Sequence, residues 1–451
     1  CVNCKRKDLL YSRRQIIERA ISLPDGERFP LHRPQLDRIN LECDLCGSTM
    51  QREQFVLDTW HNSGAAPYAS LTDSEYSELV PVQFLTEGID QTRGWAYTML
   101  LENIILSGSS FSPYQSFLFQ GHVLDEKGNK MSKSLGNVVE SIQFLSNYPV
   151  DIIRYYFLWK SSPAESLNFD VKEMLSRPHQ IISTLYYLHI YFYQNSTYDK
   201  YDPSSHNIEW TRNGNLLSIP EVWILSKFQN LISDFTTAFD ECRFHEAAKL
   251  LEEFIINFLS QTYIPIVRND LWDDNQESWE RRISVYSVLN HLLKNIDIML
   301  HPISPFATEY LYLMCFKEKE SVMLEEWPRP SNDYVDRDVE SGFDHLKNII
   351  SLSNAARMKA KLKRRWPVDE VLIFSTDVRF LNNPDLMEIL RNQINAQNCR
   401  LIEIPTLESQ ISKLNSLIAN GAPINVEMHI STKSVAPRVK SKITPLIRDF
   451  E

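Results

Sequence analysis

No stretch of this 451-residue chain approaches the roughly 18–20 consecutive apolar positions that span a bilayer, so a membrane partner is not expected. A secretory leader is not expected, since the chain opens on Cys1 and basic residues, not on an apolar stretch. It has no surplus of positive charge. With 47 Lys and Arg against 58 Asp and Glu the net charge is −11, which excludes indiscriminate nucleic-acid binding but not a local basic surface. Internal repeats and low-complexity tracts are missing too. So is an even, dispersed set of cysteines: there are seven, four of them within the first 46 residues. That usage fits a reducing, cytoplasmic setting with a metal site better than a disulfide framework. The chain begins with Cys1 rather than Met, which reads as a piece of a longer polypeptide. What remains is ordinary globular material, 43% hydrophobic and 23% charged, long enough for two to four domains.

The cysteines fall in two C-x-x-C pairs, Cys1/Cys4 and Cys43/Cys46, the second followed by Gly47. Such knuckles converge two thiolates each on one tetrahedral ion, and Gly47 suits the tight turn. The stretch between them is charged and poor in apolar residues, so a structural Zn2+ would supply the missing folding energy. Four thiolates leave no open position, so the metal would not be catalytic. Four free thiols remain the alternative; a redox pair fits less well, since no βαβ pattern surrounds either knuckle. Cys242, Cys315 and Cys399 stand alone and read as core or surface residues.

The run Lys130-Met131-Ser132-Lys133-Ser134 follows a strand-like stretch, 117–124, and a turn, 125–129. Two ammonium groups with hydroxyls between and after them suit a polyphosphate whose charge shifts during reaction. The plainer reading is an exposed basic turn. Upstream, 82–86 reads as a buried strand, running into Glu87-Gly88-Ile89-Asp90-Gln91 and then an apolar-periodic helix through Met99, Leu100 and Ile104. In open α/β sheets ligands bind beyond the carboxyl ends of strands, where such turns lie. Glu87, Asp90 and Gln91 could therefore meet an ammonium or ribose hydroxyls, or simply cap the helix. Gly121, at the end of the second strand, would admit a base or ribose close to the backbone.

The string GHVLDEKGNKMSKSLGN resembles the lysine loop of class I aminoacyl-tRNA synthetases. VLDTWHNSG (56–64) is similar to the DVWFDSG stretch of isoleucyl-tRNA synthetases, and EGIDQTRGWAYTML (87–100) to their EGxDQxRGWF motif. With the cysteine pairs this makes four ordered matches in the first 137 residues, of archaeal flavour. The resemblance implies ATP with Mg2+, isoleucine and tRNA(Ile) as partners of a monomeric ligase. It implies that Lys130 and Lys133 hold phosphates, helped by Met131, Ser132 and Ser134. Glu87, Asp90, Gln91, Gln120 and Gly121 would contact the adenylate or the amino-acid end. Trp60 and Trp95 would wall the isoleucine side chain; by chemistry alone they read as packing residues. Gln120 departs from the commoner His, and His61 and Asn62 from Phe-Asp. No HxGH motif occurs in the chain, and neither does the family's editing domain, so only the downstream half of the catalytic site is expected here. Editing matters because a hydrophobic pocket separates isoleucine from valine by only ~1–3 kcal/mol.

Beyond about 151 the period changes. Ile224, Phe228, Leu231, Phe235 and Phe239 recur at helical spacing, as do Ala247, Leu250, Leu251, Phe254 and Phe258, then Ile283, Val288, Leu292 and Ile296. This predicts an antiparallel bundle, which the resemblance makes an anticodon-binding domain. A polar linker is expected at 329–333. Arg357, Lys359, Lys361, Lys363, Arg364 and Arg365 then crowd one helical stretch, either a solvated face or a contact for RNA phosphates. Strand-like 371–374 suggests a small α+β module.

The expected fold is therefore α/β, the downstream half of a Rossmann-like class I catalytic domain with a zinc knuckle, followed by an all-α bundle and a small α+β module. The expected segments are 1–51 knuckle, 52–160 catalytic half, 161–330 bundle and 331–451 tRNA-contacting module. Two other readings stay open: a non-catalytic tRNA-binding module derived from a synthetase, and a valyl or leucyl paralogue.

Overall fold

The computed structural model describes residues 1–403, except positions 25, 56–58, 109, 274 and 376–382. The chain divides into two compact units, Cys1–Phe119 and Gln120–Glu451.

The first unit opens with α1 (Arg13–Arg19) and a short hairpin, β1 (Leu41–Glu42) and β2 (Thr49–Met50), in the register Leu41↔Met50 and Glu42↔Thr49. Three short helices follow, α2 (Thr59–Gly64), α3 (Ala66–Ser70) and α4 (Asp73–Leu79). Thr72 and Glu75 start α4 reciprocally: each side chain binds the other's backbone N–H, at 3.3 and 2.8 Å. Then come β3 (Val82–Gly88), one 3-10 turn (Ile89–Arg93), α5 (Trp95–Ser107) and β4 (Tyr114–Gln120). β3 pairs with β4. Val82 N–H meets Pro113 O and Thr86 Oγ1 meets Leu118 O, so the pairing advances in one sense and the strands run parallel around α5. The expected βα unit is present, but β3 is not buried: Phe84 is 45% exposed, because the described sheet has two strands and leaves its faces open. Likewise α5 buries Ala96, Met99 and Asn103 and exposes Tyr97, Leu101, Ile104 and Ile105.

The second unit begins with β5 (Val123–Leu124), α6 (Ser141–Asn147), α7 (Val150–Lys160) and β6 (Leu167–Asn168), with β5 parallel to β6. The bundle follows: α8 (Val171–Tyr198), α9 (Ile208–Asn213), α10 (Ile219–Asp240), α11 (Phe244–Glu253), α12 (Ile264–Trp272), α13 (Trp279–Leu300) and α14 (Pro305–Cys315). Asp170 caps α8 by accepting from Lys172 and Glu173 N–H. Ile181, Leu185, Leu188 and Phe192 form its buried stripe, facing Ile224, Phe228 and Phe235 of α10 and Ile283, Leu292 and Ile296 of α13 in one core, while Met174 near its start packs in a separate cluster with Tyr156 and Phe169. Between α11 and α12 the helix widens to π geometry over Phe254–Tyr263. Pro265 has no N–H for the α pattern, and the widened register precedes it directly.

Several buried polar groups in the bundle are paired across helices. Glu221 accepts from Tyr263 OH at 2.9 Å and from both terminal nitrogens of Arg281. His189 Nε2 meets Asp297 Oδ2 at 3.0 Å, both residues fully buried. The stretch expected as a linker is fastened instead: Trp327 donates to Thr236 and Ser331 N–H to Gln229. α15 (Arg337–Lys359) follows, then β7 (Val368–Ser375), α16 (Pro384–Ile394) and β8 (Ala396–Glu403), a parallel βαβ module in which Val371 pairs with Cys399 and Ile373 with Leu401. Residues 404–451 lie outside the described part. Among the described residues no helix is long and apolar enough to cross a membrane.

Candidate active site and metal centre

The two cysteine pairs meet. Cys43 and Cys46 sit in the β1–β2 turn, and Val2 N–H donates to Thr49 O at 3.0 Å, which lays the first knuckle against the hairpin. The four sulfurs lie within 4.8 Å of one another, with Cys1–Cys46 at 3.5 Å and Cys4–Cys43 at 3.6 Å. Bonds of about 2.3 Å to one tetrahedral ion would put sulfurs about 3.8 Å apart, so the set fits a structural metal of zinc size. Gly47 has φ +67°, as the turn after the second knuckle requires. Asn3 and Cys4 N–H both point at Cys1 Sγ, at 3.4 Å. Hydrogen bonds from the Ser48 backbone, then its hydroxyl, hold the Cys46 thiol down to about 6, so it is ready to ligate as thiolate.

The second group of predicted residues gathers at the N-terminus of α5. The Trp60 ring lies against Gly94; a Cβ there would sit 2.9 Å from Trp60 Cη2 and 2.8 Å from Gln91 Oε1. Trp95, the first residue of α5, donates from Nε1 to Ser63 O at 2.9 Å and turns its ring edge-on to Phe117. Trp60 is 40% exposed, while Trp95 is half-buried and ties α2 to α5. Glu87 is exposed at the end of β3, and Gln91 Nε2 donates to Asp90 Oδ2 at 3.0 Å. His61 Nδ1 meets Glu102 Oε1 at 2.9 Å. Asn62 is exposed in α2, and Val56, Leu57 and Asp58 of the same motif lie outside the described residues. Ser63 lies within the 56–64 motif but was given no role there, and Glu102, which pairs with His61, gave no sequence signal beyond its place on the helix.

The lysine loop belongs to the second unit. Gly121 N–H donates to Pro163 O at 2.9 Å, and a Cβ at Gly121 would fall 2.1 Å from Glu165 O. A crossing of this chain's own backbone therefore requires that glycine, whatever else approaches it. Leu124 bridges Lys130, and the five residues of the loop motif then run without helix or strand. Lys130, Lys133 and Ser134 are exposed, while Met131 and Ser132 are half-buried. Ser132 and Ser134 hydroxyls are 3.1 Å apart. Two residues beside the motif were missed: Asp125 and Asn137 hold its backbone. The signal for Asp125 was an acidic residue two before Lys127 and three before Gly128, the pattern of an Asx turn.

The basic stretch divides. α15 ends at Lys359, since Lys361 takes φ +54° and Leu362 N–H returns to Arg357 O at 2.9 Å. The charges thus leave the helix and continue along a turn, not round a helical circumference. Arg357 is buried, and its guanidinium donates to the carbonyls of Lys363, Trp366, Ile394 and Asn395. It joins α15 to the βαβ module and is not available as a phosphate contact. Lys359, Lys361, Lys363, Arg364 and Arg365 are exposed.

Comparison with known proteins agrees in kind. Residues 22–170 match the tRNA synthetases of class I (I, L, M and V), and residues 221–373 the anticodon-binding domain of tRNA ligase. Isoleucine–tRNA ligase of Methanothermobacter marburgensis is 32% identical over 432 residues, covering 93% of this chain and 39% of that protein. That of Picrophilus torridus is 33% identical over 427 residues, covering 91% and 40%. The chain spans about two fifths of the length of these curated relatives. Among solved structures, the LeuRS agnB2 of Agrobacterium radiobacter K84, in ternary complex with tRNA and LeuAMS, aligns with a TM-score of 0.52 at 18% identity, over 66% of this chain and 36% of that one. That likeness is one of fold.

Proposed function

Because the chain belongs to the class I tRNA synthetases, as a homologue of isoleucine–tRNA ligases along nearly its whole length, we propose that it is the downstream part of such a ligase. The whole enzyme would join isoleucine to ATP, with Mg2+, as isoleucyl-adenylate and pass it to tRNA(Ile). The observation that carries this is the similarity to isoleucine ligases over 93% of the chain, together with its lysine loop. In this reading 1–51 is the knuckle, 52–160 the catalytic half, 161–330 the anticodon-binding bundle and 331–451 a tRNA-contacting module.

The roles follow from chemistry. Lys130 and Lys133 are ammonium donors for phosphates, with Ser132 and Ser134 hydroxyls and Met131 beside them. Charge moves from the α-phosphate toward pyrophosphate as the adenylate forms. An ammonium that meets it mainly then lowers the barrier rather than the substrate's Kd. Trp60 and Trp95 face the isoleucine side chain, Glu87, Asp90 and Gln91 its ammonium or the ribose, and Gln120 and Gly121 the nucleotide. The four cysteines hold Zn2+, which keeps the knuckle folded. Lys359, Lys361, Lys363, Arg364 and Arg365 meet tRNA phosphates.

The test uses the polypeptide with its upstream half. Lys133→Ala should slow isoleucyl-adenylate formation by about 10²–10³-fold, the usual loss for one such contact, with isoleucine affinity nearly unchanged. Lys127→Ala, in the preceding turn, should do little. The 451-residue chain alone, which has no HxGH motif, should show no isoleucine-dependent ATP–pyrophosphate exchange. Exchange by the chain alone, or a Lys133→Ala effect on isoleucine affinity only, would overturn these assignments.

A further inference from the structure

The lysine loop is closed by two side chains outside the pentapeptide. Asp125 Oδ1 accepts the N–H of Lys127 at 3.0 Å and of Asn129 at 2.8 Å. Its Oδ2 accepts Asn137 Nδ2 at 3.0 Å and Asn129 Nδ2 at 3.3 Å. Asn137 then reaches into the motif from the far side. Its Oδ1 accepts Ser132 N–H at 2.9 Å, and its Nδ2 also donates to Lys130 O at 3.3 Å. One amide thus grips the backbone on both sides of Met131, between the two lysines.

We propose that Asp125 and Asn137 form a clasp that presents Lys130 and Lys133 to the ATP phosphates, making both positioning residues for adenylate formation. The proposal rests on the synthetase reading above. Asn137 must be an amide here: it has a donor where Asp125 and the Lys130 carbonyl need one, and an acceptor where Ser132 N–H needs one. Flipping the amide would lose all three contacts. Asp125 must be a carboxylate, since four donors converge on it; those of Asn137 and of the Asn129 backbone hold its carboxyl below the usual range. The Leu124–Lys130 bridge fixes the entry to the loop. Gly136 N–H on Lys133 O, at 3.3 Å, closes the exit, leaving Lys133 at the outside of a turn. The lysine side chains stay exposed while their backbone is held. Ordering is then complete before the nucleotide arrives, and little of it remains to be done at the transition state.

The pair is not interchangeable. Asn137→Asp sets a carboxylate against Asp125 and against a carbonyl, so it should be worse than Asn137→Ala. The swap of both residues restores the contact between them but not the one to Lys130 O, so it should rescue only in part.

Two readouts test the clasp in the full-length polypeptide. Trypsin cleavage after Lys130 and Lys133, followed by mass spectrometry without nucleotide, reports how firmly the loop is held. Asn137→Ala should speed it about 10-fold, as expected when the side-chain hydrogen bonds of Asn137 are lost for little more than the net worth of one. Glu126→Ala, on the same turn but outside the clasp, should not, and neither variant should move the thermal midpoint. Isoleucine-dependent ATP–pyrophosphate exchange should lose about 10–10²-fold in kcat in Asn137→Ala, with KM for isoleucine unchanged. Wild-type cleavage rates in Asn137→Ala and Asn137→Asp would overturn the clasp. Faster cleavage with an unchanged kcat would overturn its role in the reaction. If the wild-type polypeptide shows no exchange, the synthetase reading fails, and the trypsin rates still decide whether the clasp holds the loop.

Discussion

His291 sits among Phe228 and Tyr334 with no partner at Nε2. Burial in the bundle pushes its imidazole down to about 4. An unfolded chain takes up that proton near pH 6.5, whereas the folded one refuses it until about pH 4. Between those values the unfolded state binds more protons, so stability must fall as pH falls. The full effect over the window is about 3 kcal/mol. His291→Phe should flatten the pH 6.5–4 slope of urea-unfolding free energies relative to wild type; an unchanged slope would mean that the imidazole charges in place. Arg357 teaches a different lesson. A run of basic residues reads alike whether its side chains reach solvent or turn inward, and sequence gave no hint that four carbonyls converge on this one. The helix end nearby was equally hidden: the left-handed residue is Lys361, where a glycine would have announced it. Trp60 and Trp95 were visible as a pair, but not that Trp95 also holds α2 through Ser63 O.

At the level of elements, what was legible followed from period and spacing. The stripes of α8, α10 and α13 repeat every three to four residues because each packs one face into a shared core. The π turns before Pro265 were not legible, since they arise from a missing donor inside an otherwise continuous apolar pattern. The knuckles were legible because each C-x-x-C spacing lets one turn bring two sulfurs together, and the four sulfurs do meet. β1 and β2 have two residues each, and Cys43 is buried between knuckles that few apolar side chains support. A hairpin of that size is not stable alone. If the four cysteines hold a metal as proposed, Cys43→Ser or a chelator should therefore open residues 1–50 to proteolysis and native-state alkylation, while the bundle's thermal transition stays within about a degree or two. Loss of both together would mean that the knuckle and the bundle unfold as one.

For the molecule as a whole, the second unit contains nearly all of the closed core, whereas α5 in the first exposes Tyr97, Leu101, Ile104 and Ile105 along one face. The sequence showed the apolar period of α5 but not which of its sides is covered, because that depends on neighbours a period does not name.

The two-residue pair β5–β6 joins distant parts of the second unit. Leu124, one residue before Asp125, is paired with Asn168, and Asn168 lies two residues before Asp170, the cap of α8. α8 has 28 residues and so is about 42 Å long. Mechanically it is a lever whose short end is stitched to the root of the lysine loop. The same root is crowded on its other side, where a Cβ at Gly121 would fall 2.1 Å from Glu165 O. Loosening the fulcrum should therefore be felt in the loop. Asp170→Ala, at about 1 kcal/mol for a lost cap, should raise trypsin cleavage after Lys130 and Lys133, although it touches neither residue. Wild-type cleavage in that variant would mean that the lever is not connected.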